Sequence, residues 1–361
     1  MKKSYRNILI VTIAICFSAA GFVGEETSAQ TKTVKSTPTP KSVKSPTTTA
    51  KTTPKPTPKL KTPASQPVTG EQIIVTATAS LVRREPKTSS AQLSPVKLGK
   101  TLPVSEKNAG WYKVEYAAGK SGWIPKTAAK DFAAERRDEL YREITEKYSK
   151  SKTLDFATAS EVSEFLETAQ AFVKKDSLKA DLSLRRLRVL KGALKAIPAG
   201  KGERFPYKNF LKANGKDLVY SDSSGEWYVR SDLYWEIHSR FTALPIAEEI
   251  AWEAAQNPTP SECEGYVNCY LYRLRATDGE YLNFYPNGKY SKKALTNITS
   301  LLQPIIADLN EKSVYTPPAD ISDRAEFNRF LTELRTIISK MPDIAKAKTL
   351  QQINQLGEGY K

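Results

Sequence analysis

General acid–base chemistry needs two titratable groups held in different environments, and one stretch of the chain concentrates the candidates. The single histidine, His238, lies within 26 residues of Glu236, Glu248, Glu249, Glu253, Glu262 and Glu264. The spacing Glu249–Glu253 puts two carboxylates on one face of a helix, which ordinarily marks a solvated surface. His238 closes the run Asp232-Leu233-Tyr234-Trp235-Glu236-Ile237-His238, whose aromatics are the usual surroundings of a partly buried structural imidazole. No H-E-x-x-H, G-x-S-x-G, P-loop or dinucleotide fingerprint accompanies these groups. One His and three Cys also leave no poly-His metal centre and no zinc ribbon. The expectation is no catalytic residue, no metal and no cofactor, with carboxylate-based hydrolysis as the enzymatic alternative.

The three cysteines divide by position. Cys16 falls in a segment built like an export signal. Lys2, Lys3 and Arg6 precede an uncharged stretch of 16 residues, Ile8 to Val23, and Glu25 and Glu26 close it before Thr27-Ser28-Ala29. Cleavage is expected before Gln30. The stretch falls short of the ~20 residues of a spanning helix, so no stable membrane span is expected after cleavage, an uncleaved anchor being the alternative. Ile15 is too large for the position before a lipid-modified cysteine, and Cys16 reads as part of the discarded segment. Cys263 and Cys269, with five residues between them, remain as an even pair for an oxidising compartment. They are expected to form one disulfide pinning the loop after Pro258 and Pro260.

With 361 residues the chain is too long for one ordinary domain. It carries 55 Lys plus Arg against 39 Asp plus Glu, a formal +16, and the location of that charge decides its meaning. Residues 30–70 hold 12 Thr, 8 Pro and 8 Lys with no acid and no aromatic. Such a tract cannot bury enough apolar surface to order itself. It is expected to be a disordered, extended spacer, spanning on the order of 100 Å in polyproline geometry. Its eight lysines and the signal's one net positive charge account for nine of the sixteen, leaving +7 on residues 71–361. That remainder is mixed with acids, as in Glu135-Arg136-Arg137-Asp138-Glu139, so nucleic acid is not an expected partner. The spacer lysines suit an anionic envelope polymer.

Residues 71–130 change to short apolar segments of strand length. These are Ile73-Ile74-Val75, Leu81-Val82, Val96-Lys97-Leu98, Leu102-Pro103-Val104, Trp111 to Tyr116, and Gly122-Trp123-Ile124-Pro125. Gly99-Lys100, Asn108-Ala109-Gly110 and Gly119-Lys120 supply turns. Five or so strands in 60 residues predict a small barrel, which closes its own sheet edges. Leu81-Val82-Arg83-Arg84-Glu85-Pro86, Leu98-Gly99-Lys100, Gly110-Trp111-Tyr112-Lys113-Val114 and Gly119-Lys120-Ser121-Gly122-Trp123-Ile124 resemble, in order, the motifs of the bacterial SH3-type (SH3b) domain. The Asn common in that family's opening motif has no counterpart between Leu81 and Val82. The resemblance implies an exported, non-catalytic module directed at cell-wall peptide or another envelope partner. Strand alternation sets Trp111 and Tyr112 on opposite faces, so at least one is expected at the surface. The candidate ligand site is an exposed aromatic among Trp111, Tyr112 and Trp123 with Arg83 or Arg84, since guanidinium groups suit the carboxylates of wall peptides. Packing of the barrel core competes for each tryptophan.

From Asp131 onward the apolar period becomes helical. Leu140, Tyr141, Ile144 and Tyr148 share one face. Val162, Phe165, Leu166, Ala169, Phe172 and Val173 share another behind a capping box Thr158–Glu161. Further stripes run through Leu184–Ile197, Ile246–Ala254, Leu295–Leu309 and Phe327–Ile338, and Pro304 is expected to kink or split its helix. Leu218-Val219-Tyr220 and Trp227-Tyr228-Val229 predict a β-hairpin around Ser221 to Gly225. Glu280 to Tyr290, with Ala294, resembles the inter-helix turn of a tetratricopeptide-like hairpin, in one copy and with no period of about 34 residues. The expected fold is a small all-β SH3-like barrel at 71–130, then a mainly α-helical domain at 131–361. That domain is built of helical hairpins with a small β-hairpin insertion and a possible sub-boundary near 200–215. The expected function is a non-catalytic envelope protein: a barrel binding cell-wall peptide or an envelope protein, and a helical scaffold. The alternative is a wall hydrolase targeted by its barrel.

Overall fold

Ile73, Ile74 and Val75 have no exposed surface, although a strand on a half-solvated sheet should bury only alternate residues. The reason is that strand β1 (Gln72–Val75) is covered on both sides. Ile73 and Val75 enter the core of a barrel, and Ile74 packs with Leu140, Tyr141 and Ile144 of a helix beyond it. The computed structural model describes residues 70–360 except 109, 152, 259–261, 343 and 345. The export signal, Cys16 and the spacer through residue 69 lie outside the described residues, which all belong to one compact unit.

Strands β2 (Ser80–Arg83), β3 (Gln92–Val96), β4 (Thr101–Lys107), β5 (Trp111–Ala117), β6 (Lys120–Pro125) and β7 (Ala129–Phe132) follow. They join β1 in one antiparallel sheet of order β3-β2-β6-β5-β4-β1-β7. Val82, Leu102, Val104, Tyr112, Val114 and Ile124 fill its core with β1. Two strands depart from expectation. β3 ends at Val96, where the sequence places a strand beginning, because Leu98 instead packs against the helices. β7 carries no apolar alternation, with exposed Lys130 and Asp131, and is held by its ladder to β1.

The helices α1 (Arg137–Ser149), α2 (Phe156–Phe172) and α3 (Asp176–Lys195) pack on that outer side of β1. The seam is polar as well as apolar. Glu161 of α2 accepts the backbone N–H of Leu98 at 2.7 Å and of Ala79 at 2.9 Å, and Tyr148 Oη accepts that of Thr78 at 2.8 Å. Lys147 donates to Thr76 O at 2.9 Å, and Lys97 pairs with Glu164. Gly99 has φ +76°, and any Cβ there would run into the Phe165 ring of α2. The capping box is displaced by one turn. Asp155 is the N-cap of α2, accepting from Thr158 N at 3.0 Å, which leaves Glu161 to serve the barrel.

Next come α4 (Tyr207–Ala213), the hairpin β8 (Leu218–Ser221) and β9 (Glu226–Val229), α5 (Asp232–Arg240) and α6 (Ala247–Ala255). Their core joins α3 through Leu187, Leu190 and Leu194 to Phe210, Leu218, Val229 and Ile250. The last layer holds α7 (Val267–Leu274), a π-helical turn at Arg275–Gly279, α8 (Glu280–Phe284), α9 (Ser291–Ala307), α10 (Ile321–Ser339) and α11 (Lys346–Gly359). Ala294 is fully buried just after the Tyr285–Tyr290 turn, as a close helical hairpin requires. Helix α9 continues through Pro304 to Ala307 and is not split. The lost N–H falls in its last turn, and Ile298, Leu302 and Ile305, all fully buried, hold the helix in place.

Candidate functional site

The outer face of the barrel is set by register. Arg83 of β2, Trp123 of β6 and Lys113 of β5 are direct cross-strand partners in one row, and Trp111 pairs with Pro125 in the next. Their neighbours Val82, Ile124 and Tyr112 point inward to the core. The faces of Trp111 and Tyr112 are therefore opposite, and Trp111 is the one at the surface, half-buried. Tyr112 lies in the core with 5% exposure. Its hydroxyl donates to Asp131 Oδ2 at 3.3 Å, and Lys107 and Lys126 lie 5.8 and 5.3 Å from its ring centroid. Burial and Asp131 push that phenol above its ordinary range.

Trp123 is 9% exposed yet does not belong to the barrel core, and Lys113 Nζ sits 5.8 Å from its ring. Arg83 is partly committed, since Nη1 donates to Ser90 O at 2.8 Å while Ser90 Oγ accepts from Glu85 N at 2.9 Å, tying the 85–90 loop to β2. Arg84 is exposed, and its guanidinium makes no hydrogen bond or ion pair among the described residues. The structure thus brings Arg83, Trp123 and Trp111 to one face with Arg84 at its loop edge, and sends Tyr112 inward. Lys113 joins that face. Alternation from Trp111 on β5 would have placed it there.

The acid–base candidates do not share an environment. His238 is 1% exposed, with Nε2 2.9 Å from Tyr285 Oη and its ring against Phe284 and Trp235. Burial holds that imidazole below its ordinary range. Glu248 accepts from Tyr281 Oη at 2.7 Å and from Lys289 N. Glu249 and Glu253 both bind Arg188 of α3, at 2.6 and 2.8 Å, so the pair bridges two helices instead of facing only solvent. Glu236, Glu262 and Glu264 are exposed. Among the described residues no group of three or more His, Cys, Asp or Glu is placed to hold a metal ion. His238 lines neither the cleft between α3 and the β8–β9 hairpin nor the one between residues 98–101 and α2.

Cys263 and Cys269 form a disulfide with an S–S distance of 2.06 Å. The turn they close docks on a second loop, where Gly265 O accepts from Thr316 N at 2.9 Å and Val267 N donates to Thr316 O at 3.2 Å. That second loop is gathered by Asp308, whose carboxylate accepts from the N–H groups of Ser313, Val314 and Tyr315. These bonds hold Asp308 down at about 2. In the π-helical turn, Asp278 is buried with Asn297 Nδ2 at 3.1 Å as its hydrogen-bond partner, and burial pushes it up to about 6.

The family model described as the bacterial SH3 domain matches residues 80–129, from β2 to the first residue of β7. The chain therefore contains a bacterial SH3 domain, with β1 preceding the matched span and pairing with β4 and β7. A comparison with curated proteins gave no match. Among the described residues no helix is long and apolar enough to cross a membrane. A bacterial SH3 domain and a disulfide are together consistent with a protein that works outside the cytoplasm.

Proposed function

We propose that the chain is an exported, non-catalytic component of the bacterial cell envelope. Its SH3 barrel binds cell-wall peptide or an envelope partner, and its helical part is the scaffold to which that barrel is fixed. The observation that carries this reading is the outer face of the barrel, where half-buried Trp111 stands near Arg83 and Lys113, Trp123 is largely covered between those two cations, and Tyr112 is withdrawn to the core. Flat aromatic surface beside guanidinium and ammonium groups suits a short peptide bearing free carboxylates. The seam supports the scaffold role, because a barrel tied by Glu161, Tyr148 and Lys147 presents its outer face in a fixed direction. The acid–base candidates are bound up in helix-to-helix contacts or stand exposed and apart, which fits a protein without catalysis.

The test is co-sedimentation of the full chain with purified peptidoglycan. Trp111→Ala with Arg84→Ala should weaken retention about tenfold, the loss of roughly 1.4 kcal/mol expected for an interface anchor. Equal retention of the variant would place the binding surface elsewhere.

A further inference from the structure

Helix α3 ends beside the β8–β9 hairpin, and between them opens a cleft of about 870 Å³ that reaches Asn257 at the end of α6. The hairpin presents Tyr220 and Trp227 to it, ring centroids 5.1 Å apart and tilted by 52°. The end of α3 presents Lys191 and Lys195, four residues apart and so on one side of the helix. Trp227 Nε1 lies beside Gly202, which has no side chain of its own to cover it.

Charge in this cleft is unevenly partnered. Of its two acids, Glu203 pairs with Lys208 at 2.9 Å, and Glu226 accepts from the neutral Tyr228 Oη at 2.9 Å and keeps its charge. Its lysines have no carboxylate within ion-pair distance among the described residues. Lys191 is half-buried and donates to the neutral Oδ1 of Asn257, and Lys195 is exposed. Burial, and then the charge of Lys195, lower the Lys191 ammonium from its ordinary range. The carbonyl end of α3 accounts for a lysine in its last turn, Lys195. Lys191 lies a full turn earlier, where that field has faded, and Glu253, the carboxylate whose charge acts on it, is paired with Arg188 instead.

The two lysines border the aromatic pair at one end of this cleft. We infer that this cleft binds an acidic saccharide, a pyranose ring carrying a carboxylate, with the ring against Trp227 and Tyr220 and the carboxylate at Lys191 and Lys195. The two rings touch each other, with centroids 5.1 Å apart, so a sugar would lie across their outer faces with the C–H side of its ring on the aromatic surface. A cleft of this size lies within the range of small-ligand sites and takes more than one sugar ring. This inference does not rest on the barrel's binding activity.

The test is calorimetric titration of the full chain with D-glucuronic acid, D-glucose and acetate, followed by N-acetylmuramic acid to distinguish a wall amino sugar from a uronic-acid polymer. The acidic sugars should bind about tenfold tighter than glucose and than acetate, the worth of one good charge-assisted contact. Lys191→Met with Lys195→Met should reduce them to the level of glucose without lowering the melting temperature. Tyr220→Leu should weaken all the sugars, and Arg84→Ala on the barrel should change none. Equal affinity for glucuronic acid and glucose, equal affinity for acetate, no measurable binding, or unchanged binding in the double lysine variant would each overturn the inference.

Discussion

Glu161 and Lys191 are both charged side chains set where a helix meets β structure, and their surroundings are opposite. Glu161 accepts two backbone N–H groups of the barrel, so its charge joins two parts of the fold. Lys191 has a neutral amide as its hydrogen-bond partner and a second lysine nearby, and Glu253, the carboxylate whose charge acts on it, is paired elsewhere. The first is a closed contact whose removal should loosen the fold. The second is open toward solvent and adds little to the fold, so its worth must come from what enters the cleft. Asp278 is a third case, buried with one neutral amide near it, and shows the cost when no ligand can reach such a group.

The largest effect should come from closing the seam too far. Gly99→Val places a β-branched residue at φ +76° and drives its side chain into Phe165, at a cost of about 4 kcal/mol. Urea denaturation measures it, and a loss below about 1 kcal/mol would mean the barrel yields at the seam. Asp278→Asn should act in the opposite direction. A carboxyl raised from 3.8 to about 6 keeps its proton longer in the fold than in the unfolded chain. Stability therefore falls as pH rises through that window, and above it the ionised group carries the full cost. The substitution should stabilise the protein by up to about 3 kcal/mol at pH 7.5. The gain should fade toward pH 4, and melting curves at the two pH values would show a constant difference if the idea is wrong.

Glu161→Ala should cost about 2 kcal/mol, since it strips two N–H groups of a charged acceptor. The same experiment on Lys191→Met should give a change within about 0.5 kcal/mol of zero. Similar losses for the two would erase the contrast between them. The paired substitution Cys263→Ser with Cys269→Ser should cost about 2 kcal/mol, by the entropy of a short loop. It should act locally, leaving the barrel's melting behaviour and its retention by peptidoglycan unchanged.

The barrel is legible because its motifs combine turn glycines with strand aromatics, so the sequence alone places Gly99 and Gly119 in turns and Trp111 and Trp123 in strands. Ile73-Ile74-Val75 was legible as a strand but not as a strand covered on both faces, since its second cover comes from helices more than 60 residues away. Thr158–Glu161 has the spacing of a capping box, yet Asp155 caps the helix first and frees Glu161 for the barrel. No local pattern announces an acceptor for N–H groups so distant in sequence. Helix α11 shows no apolar stripe in the sequence because its buried Thr349, Gln352, Ile353 and Leu356 mix polar with apolar residues. The cleft shares that difficulty: Lys191, Asn257 and Trp227 each look ordinary, and only the fold assembles them.

In the role proposed for it, this protein holds the wall without cutting it. The full chain incubated with purified peptidoglycan should sediment with the insoluble material and release no soluble fragments over many hours. Release of muropeptides would contradict the account, and a chain that stays in the supernatant would move the barrel's target from the wall to another envelope partner.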